Sequence, residues 1–547
     1  MKSNRNILVT SALPYANAPL HIGHFVEYTQ TDIWVRYHRI NGHSCTYICA
    51  SDAHGTPTML KAEEEGITPE KLVEKNSSSH LNDFKTYRIS VDNYVTTHVP
   101  ENKEITEEIY NKLKKNNHIY KKNIKQSFDD KKKMFLPDRY VKGTCPSCGA
   151  KDQYGDSCEV CGSTYSPMQL IDPISVISGT KPTVKGSEHI FFKLSEFEDE
   201  LKLWISKNMD ITLVNKLEEW FKQGLKDWDI SRDSPYFGFP IPEEKNKYFY
   251  VWFDAPIGYI GSYLNFTNNQ KDEEFYNFWQ SGDNTELYHF IGKDIVYFHT
   301  LFWPAVLSGA GYRKPTAVFV HGFLTINGKK MSKSKGTFIN ASIFAKYFDP
   351  DFLRYYFAAK LGPTPDDLDL NIDDFIARIN SDLVGKLINI ASRSSGFIHK
   401  FNDGLLADKL INRKIVDVFL KKANQIEKNY VERNYAQAIR EIIDLADQAN
   451  QYIDEEKPWF LAKDPEFQKK AVEVSTVAIN LFRILILYLK PVIPGIAERC
   501  ESFLNVESMA WSDKDKLLIG SKLNNYKNII DRVEKAHAIK MIEESKI

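Results

Sequence analysis

The stretch Ile7–His24, ILVTSALPYANAPLHIGH, constrains the fold more than any other part of the chain. Its apolar opening is typical of a buried strand, and the apolar periodicity that follows, as far as Gly42, predicts a helix. A strand, a tight loop and a helix start present free backbone N–H groups to an anion, and Gly23 leaves room for a large ligand. With His21 and His24 in the first turn, a polyphosphate is the predicted occupant. Two histidines that only cap a helix are the alternative.

The length, charge and apolar segments of the chain limit the class of protein it can be. A chain of 547 residues has room for about three domains. Its 71 basic and 72 acidic residues give a net charge of −1, so any contact with nucleic acid must be local. The N-terminus has no signal-peptide pattern, and Arg483 interrupts the longest apolar stretch, 479–489. We therefore expect a cytoplasmic protein without a membrane span.

Apolar runs further along the chain predict the fold class. Four such apolar runs predict strands at 44–50, 248–254, 287–291 and 317–320, and stretches with a helical pattern separate them. Strands that alternate with helices favour an α/β fold, a Rossmann-like doubly wound parallel sheet. A stretch rich in turns, lysines and glycines splits this sheet, and beyond residue 373 periodic apolar residues predict an all-α helical bundle.

A polar cluster, Ser51–Gly55, follows the second predicted strand directly. Open α/β sheets place ligand-binding groups at this position. Asp52 could hold an amine or a ribose there, or it could cap a helix or turn.

Four cysteines form two CxxC pairs in the stretch that splits the sheet. Cys145 and Cys148 are followed, after nine residues, by Cys158 and Cys161, and a glycine comes after each pair. Four thiolates make a closed tetrahedral site, which predicts one structural Zn²⁺ in a compact knuckle. A redox CxxC or chance pairing is the alternative.

The loop Asn327–Gly336, NGKKMSKSKG, is the second cluster of candidate functional residues. Its lysines and serines lie between two glycines, a pattern suited to a mobile cationic loop that closes over phosphates. Taken alone, a solvated lysine turn would be the better explanation.

Two motifs, HIGH at 21–24 and KMSKS at 330–334, together resemble the class I aminoacyl-tRNA synthetases. The segments 12–15 (ALPY) and 251–256 (VWFDAP), with the four-cysteine knuckle and the terminal helices, make the chain similar to the methionyl-tRNA synthetase family, bacterial type with one zinc. The resemblance covers nearly the whole chain. Longer family members add a C-terminal tRNA-binding and dimerisation domain that this sequence lacks, so we expect a monomer.

The resemblance implies a methionine–tRNA ligase. L-Methionine and ATP, with Mg²⁺, would give methionyl-adenylate and pyrophosphate, and the methionyl group would pass to the terminal adenosine of tRNA(Met). The catalytic residues implied are His21, His24, Lys330 and Lys333. The ATP-binding residues implied are Pro14, His21, Gly23, His24, Glu27, Gly292, Asp294, Lys330, Ser332 and Lys333.

The family pattern also implies an aromatic-lined methionine pocket, with Asp52 on the ammonium group. Its residues would be Ala12, Leu13, Tyr15, Asp52, Trp252, Ala255, Pro256, Tyr259, Ile295 and His299. Ordinary core packing is the alternative for Trp252 and Tyr259. An apolar pocket separates methionine from homocysteine by only ~1–3 kcal/mol, and no editing domain is evident, so we expect some misactivation.

Anticodon reading would fall to the helical bundle, where Trp459 offers a stacking platform and Asn389 and Arg393 offer base-edge contacts. A buried tryptophan and a surface Asn/Arg pair are the structural alternative.

The expected segments are 1–117 (catalytic domain, first half), 118–230 (insertion with the knuckle), 231–323 (catalytic domain, second half), 324–385 (KMSKS and stem-contact region) and 386–547 (anticodon-binding bundle).

Three rival functions stay open at this level. A nucleotidyl transferase that uses no tRNA would also carry HIGH, but such proteins are usually smaller and lack the bundle. A synthetase for isoleucine, valine or leucine would need an editing insertion larger than this one. A catalytically inactive zinc- and RNA-binding protein would not need intact HIGH and KMSKS motifs, and both are intact here.

Overall fold

The computed structural model describes residues 4–282, 284–331 and 338–546. The strands of this part of the chain are β1 Asn6–Ser11, β2 Ser44–Ser51, β3 Asn93–Thr96, β4 Ile119–Asp129, β5 Met134–Phe135, β6 Val141–Thr144, β7 Gln153–Tyr154, β8 Ile171–Ser175, β9 Thr183–Phe192, β10 Trp228–Asp229, β11 Ser231–Asp233, β12 Lys247–Phe249, β13 Thr285–Gly292, β14 Ala317–His321, β15 Leu324–Ile326, β16 Lys329–Lys330 and β17 Leu368–Leu370. The helices are α1 His24–Ile40, α2 Thr56–Glu65, α3 Pro69–Thr86, α4 Pro100–Lys115, α5 Glu198–Asn208, α6 Ile211–Lys222, α7 Val251–Phe266, α8 Glu273–Tyr276, α9 Trp303–Gly309, α10 Ala341–Tyr347, α11 Pro350–Ala358, α12 Ile372–Arg378, α13 Asn389–Asn402, α14 Arg413–Val431, α15 Tyr435–Glu456, α16 Pro458–Leu461, α17 Gln468–Leu489, α18 Pro494–Leu504 and α19 Lys535–Glu544.

The central sheet is parallel and has the order β14-β13-β1-β2-β3. Leu8 at its centre pairs with Leu287 on one side and Thr46 on the other. Strands β2 and β3 extend the sheet on one side of β1. Strands β13 and β14, which come later in the chain, extend it on the opposite side, so the strand order reverses between β1 and β13. Ligands of such sheets bind outside the carboxyl ends of the strands at this reversal. The predicted Rossmann-like α/β class is confirmed.

The predicted insertion is confirmed, since antiparallel strands interrupt the parallel sheet between β3 and β13. The long strands β4 and β9 pair along their length, and β10 and β5 extend them into a four-stranded sheet. The cysteine knuckle is attached to a separate small sheet of order β7-β6-β8.

The predicted strand at 248–254 is wrong. Only β12, ending at Phe249, is a strand, and the rest of the run begins helix α7 at Val251. The helix is buried on nearly all sides, so its apolar residues show no 3.6-residue periodicity. A short apolar run of this kind cannot be told from a buried strand by pattern alone.

The helical bundle packs directly against α1 of the catalytic domain. Trp34 Nε1 donates to the Val431 carbonyl at 3.2 Å, and the Tyr435 hydroxyl donates to the Gln30 carbonyl at 2.9 Å. One helix, within Pro465–Leu489, is long and apolar enough to cross a membrane, but 94% of its most apolar window is buried inside the protein. It is therefore the central core helix of the bundle.

Candidate active site

One cavity of about 660 Å³ opens at the carboxyl ends of β1 and β13, where the strand order reverses. The predicted residues at its wall are Ala12, Leu13, Pro14, Tyr15, His21, Gly23, His24, Glu27, Asp52, Trp252, Ala255, Pro256, Tyr259, Gly292, Asp294, Ile295 and His299. They come from both halves of the split sheet, and the fold brings them to one place.

The two histidines of the HIGH motif form a stacked pair at the cavity wall. Their ring centroids lie 3.8 Å apart. The His21 amide donates to His24 Nδ1 and the Gly23 amide donates to His21 Nδ1, both at 3.1 Å. Because Nδ1 accepts in each ring, the neutral imidazole carries its proton on Nε2. Burial lowers the pKa of His21 to about 4 and lowers the pKa of His24 well below its usual range, so both rings are neutral donors.

The backbone at the start of α1 differs from the sequence expectation. The amides of His24, Phe25 and Val26 donate to the preceding turn, to the carbonyls of His21, Ile22 and Gly23, at 3.0–3.3 Å. The predicted free N–H groups are therefore already hydrogen-bonded. The imidazoles, rather than the helix amides, present donors to the cavity.

The lysine loop reaches the HIGH motif through Met331. A Cβ placed on Gly23 would overlap Met331 Cε, so the Met331 side chain packs directly against the Gly23 backbone. The backbone of Lys330 lies in β16. The Lys330 side chain and the predicted residues Ser332 and Lys333 lie outside the described residues.

Glu27 and His321 form a buried pair at the wall of the same cavity. His321 Nδ1 donates to the Gly322 carbonyl at 2.7 Å, and His321 Nε2 lies 3.2 Å from Glu27 Oε2. Burial raises the pKa of Glu27 to about 7, although His321 opposes the rise. The Glu27 Oε1 atom is buried and has no partner within the described part of the chain. This pair therefore offers an unsatisfied acceptor to a ligand.

Asp52 also lies at the wall of this cavity. It is 7% exposed, and its Oδ1 has no hydrogen-bond partner among the described residues. Burial, and then the charge of Asp254, raise its pKa well above its usual range. A buried carboxyl group with one unpaired oxygen is suited to a cationic ligand group, which would restore its charge.

Apolar and aromatic side chains line the space next to Asp52. Trp252 stacks on Phe298 with centroids 3.9 Å apart. His299 Nδ1 donates to the Ile295 carbonyl at 3.1 Å, so its Nε2 accepts from the Tyr259 hydroxyl at 2.8 Å. Burial lowers the pKa of His299 to about 4. The His299 imidazole is therefore neutral, and its two nitrogens are both hydrogen-bonded.

Several cavity residues were missed by the sequence analysis. They are Tyr28, Phe298, His321, Gly322, Phe323, Leu324, Thr325, Met331 and Asp367. His321 and Gly322 had a usable signal, because they follow an apolar strand just as Asp52 does.

The four cysteines are arranged as a metal site. Their sulfurs all lie within 4.8 Å of one another, with Cys145–Cys161 at 3.8 Å and Cys148–Cys158 at 3.6 Å. A tetrahedron of Zn–S bonds of ~2.3 Å separates its sulfurs by about 3.8 Å, so the spacing fits zinc.

The residues predicted to read the anticodon lie on α13 and α16. The Arg393 guanidinium sits 5.0 Å from the centre of the Trp459 ring and forms an ion pair with Asp454 at 2.5 Å. Asn389, one helical turn before Arg393, donates to Asn450 at 3.3 Å. All three predicted side chains are half-buried, so each retains surface that a ligand can reach.

Comparison with known proteins decides the family. The family model for class I tRNA synthetases (M) matches residues 7–395, and that for the anticodon binding domain of methionyl tRNA ligase matches residues 407–536. The chain belongs to the methionyl-tRNA synthetase family. It is a methionine–tRNA ligase, a class I synthetase that activates methionine and charges tRNA.

Solved structures of this family are similar along the whole chain. Mycobacterium tuberculosis methionyl-tRNA synthetase in complex with methionyl-adenylate is 25% identical, with a TM-score of 0.81 over 96% of this chain and 100% of that one. The apo form of the M. tuberculosis synthetase shares the fold at 23% identity, with a TM-score of 0.75 over 98% of this chain and 99% of that one. The split sheet and the terminal bundle of this synthetase are therefore the fold of its family.

Proposed function

We propose that this synthetase joins L-methionine to ATP, forming methionyl-adenylate and pyrophosphate, and then charges tRNA(Met), the initiator tRNA included. One observation carries the proposal: a single cavity is lined by the stacked histidines, by Asp52 and by apolar and aromatic side chains. The M. tuberculosis relative is described in complex with methionyl-adenylate, the compound that would occupy this cavity here.

The residues that bind ATP would promote adenylate formation by positioning the reactants and by stabilising the charge of the phosphates. The methionine carboxylate would attack the α-phosphate in line, and pyrophosphate would leave. The Nε2–H groups of His21 and His24 would donate to the phosphates, with Pro14 and Gly23 beside them. Lys330, Ser332 and Lys333 would act on the departing pyrophosphate, and Glu27, Gly292 and Asp294 would hold the adenosine. Mg²⁺ would arrive bound to the ATP.

The methionine end would combine one charge with an apolar wall. Asp52 would hold the α-ammonium. The thioether would lie among Trp252, Tyr259 and His299, because sulfur packs well against ring edges. The remaining wall residues would be Ala12, Leu13, Tyr15, Ala255, Pro256 and Ile295.

Pyrophosphate exchange into ATP, measured with each of the twenty amino acids, tests this proposal. Methionine should drive exchange best, with weak exchange from homocysteine added as a further substrate. Exchange driven best by isoleucine, or by no amino acid, would overturn the assignment.

Asp52→Asn is expected to raise KM for methionine by roughly 30-fold or more, because a buried charge pair with the ammonium would be lost. KM for ATP should stay within about twofold of the parent value. Steady-state exchange kinetics with each substrate varied in turn measure both constants. Equal rises in the two constants would place Asp52 outside the methionine end.

The bundle would read the anticodon of tRNA(Met) through Asn389, Arg393 and Trp459. Trp459→Ala should raise KM for tRNA in aminoacylation by roughly 5- to 150-fold, the range for loss of one stacked base. Methionine-dependent exchange should not change. Phe467→Ala removes another exposed ring, 43% exposed, and serves as the control. Unchanged charging by the Trp459 variant would refute this role.

We also propose the arrangement of the protein as a whole. The catalytic domain would comprise 1–117 and 231–323, the insertion 118–230, the stem-contact region 324–385 and the anticodon-binding bundle 386–547. Cys145, Cys148, Cys158 and Cys161 would hold one structural Zn²⁺. The synthetase would be a cytoplasmic monomer.

A further inference from the structure

His289 is a fully buried histidine that the proposed reaction does not use. Its side chain lies on the same face of β13 as those of the core residues Leu287 and Ile291, each two positions away. It is not among the described wall residues of the cavity, but its ring contacts one of them, Tyr259. His289 therefore supports the cavity wall from the interior of the protein.

Two hydrogen bonds fix the orientation of the His289 ring. Trp303 Nε1 donates to His289 Nε2 at 3.1 Å, and an indole nitrogen can only donate. Because Nε2 accepts, the neutral ring carries its proton on Nδ1, which donates to Thr10 Oγ1 at 2.5 Å. Burial lowers the pKa of His289 well below its usual range, in keeping with a neutral ring. A rotation of the ring would break both bonds.

The partners of His289 come from different elements of the catalytic domain. Thr10 lies directly opposite His289 where β1 pairs with β13, and Trp303 is the first residue of α9. Thr10 and Trp303 are themselves fully buried. The ring is therefore held by the centre of the sheet and by a helix packed on it.

The His289 ring is in turn the support of Tyr259. The two rings are stacked, with centroids 4.8 Å apart and planes 26° apart. Trp303 meets the Tyr259 ring edge-on at 6.5 Å. Tyr259 is hydrogen-bonded to His299 at 2.8 Å, and both line the cavity. This part of the wall therefore rests on His289 and Trp303.

Close packing behind a pocket wall limits the size of the ligand. Protein interiors have few voids, so a wall residue can move outward only if the atoms behind it also move. The methionine thioether would lie among Trp252, Tyr259 and His299, so the position of Tyr259 would limit how far the substrate can extend beyond its sulfur. One methylene more or less in an apolar pocket changes kcat/KM by roughly 10- to 200-fold.

We propose that His289 is a positioning residue that determines specificity: it fixes Tyr259 from behind and so sets the depth of the methionine pocket. It acts through Tyr259 rather than by touching the substrate. The inference rests on the proposed function, because it assumes that the thioether of methionine lies against Tyr259.

His289→Ala tests the proposal by emptying the space behind Tyr259. Ethionine, which is methionine with one more methylene on its sulfur, is the probe. In pyrophosphate exchange, the ratio of kcat/KM for ethionine to kcat/KM for methionine should rise roughly tenfold or more. KM for ATP should stay within about twofold of the parent value. A lesion that only loosened the fold would lower kcat/KM for both amino acids alike and leave their ratio unchanged.

His38→Ala is the matched control. His38 is another fully buried histidine that packs against an aromatic ring, with its centroid 3.9 Å from that of Trp34. It lies on α1 and is not among the described wall residues of the cavity. The ratio of ethionine to methionine should stay within about twofold of the parent value in this variant.

Two further variants separate the His289 ring from its hydrogen bonds. His289→Gln keeps an acceptor within reach of Trp303 Nε1 but has no ring, so the ratio should rise here too. His289→Phe keeps a ring behind Tyr259 but makes neither hydrogen bond. It should melt at a lower temperature than the parent, because Trp303 Nε1 loses its acceptor, yet its ratio should stay within about twofold of the parent value.

An unchanged ratio in His289→Ala, or a ratio in His289→Phe as high as that in His289→Gln, would overturn the proposal. If His289→Ala does not fold, His289→Gln decides, and an unchanged ratio there would overturn it. Failure of the parent enzyme to catalyse methionine-dependent exchange would instead reject the proposed function.

Discussion

His24→Asn is expected to lower kcat for methionine-dependent pyrophosphate exchange by roughly 10²–10³, the usual cost of losing one preorganised donor to a developing charge. Asparagine reaches the position of Nδ1, so it can still accept from the His21 amide, a bond of 3.1 Å in this structure. It has no donor at the position of Nε2. The variant should therefore lose rate with little loss of stability, as measured by exchange kinetics and thermal melting.

His24→Gln is the matched variant, because its amide nitrogen reaches the position of Nε2. It should retain more kcat than His24→Asn, and it should be the less stable of the two because the His21 amide loses its acceptor. Equal kcat in both variants would show that the distal nitrogen does not act on the phosphates. A parent-like kcat in both would remove His24 from the catalytic residues.

Cys145→Ser is expected to reduce bound zinc from one ion per chain to nearly none and to unfold the knuckle. The small hydrophobic cluster there has only Leu136, Val141 and Leu170 as buried members. A core of this size cannot stabilise the β7-β6-β8 sheet alone, whereas a structural zinc site contributes an apparent ~10–16 kcal/mol. Elemental analysis and hydrogen exchange over residues 141–175 measure the two effects.

Cys500→Ala provides the control, because Cys500 is buried in α18 and lies outside the cluster. It should retain one zinc and normal exchange protection in the knuckle. Retention of zinc by Cys145→Ser, with unchanged protection, would show that the metal does not hold the knuckle together.

Local patterns were sufficient for much of the fold and of the candidate site. A buried parallel strand reads as a continuous apolar run, so β1, β2, β13 and β14 were predictable. The CxxC spacing predicted the cysteine cluster, because two residues between ligands let both thiolates reach one ion. The wall residues of the cavity followed from the family resemblance, and all of those within the described side chains do line it.

Other features depend on contacts that no local pattern contains. Residues 251–254 are helical rather than extended, and the burial of α7 on nearly all sides erases the periodicity that would distinguish the two. The first amides of α1 are satisfied by the preceding turn, a geometry that HIGH does not specify.

By itself, the amino-acid sequence determined the kinds of chemical group available to this protein and their spacing along the chain: paired imidazoles, four thiolates and a cationic loop. The tertiary structure alone decided which groups meet. Asp254 is 200 residues from His54 in sequence but in contact with it in space. Such a pairing depends on how the split sheet closes, because hydrogen bonding and charge compensation act over a few ångströms whatever the separation along the chain.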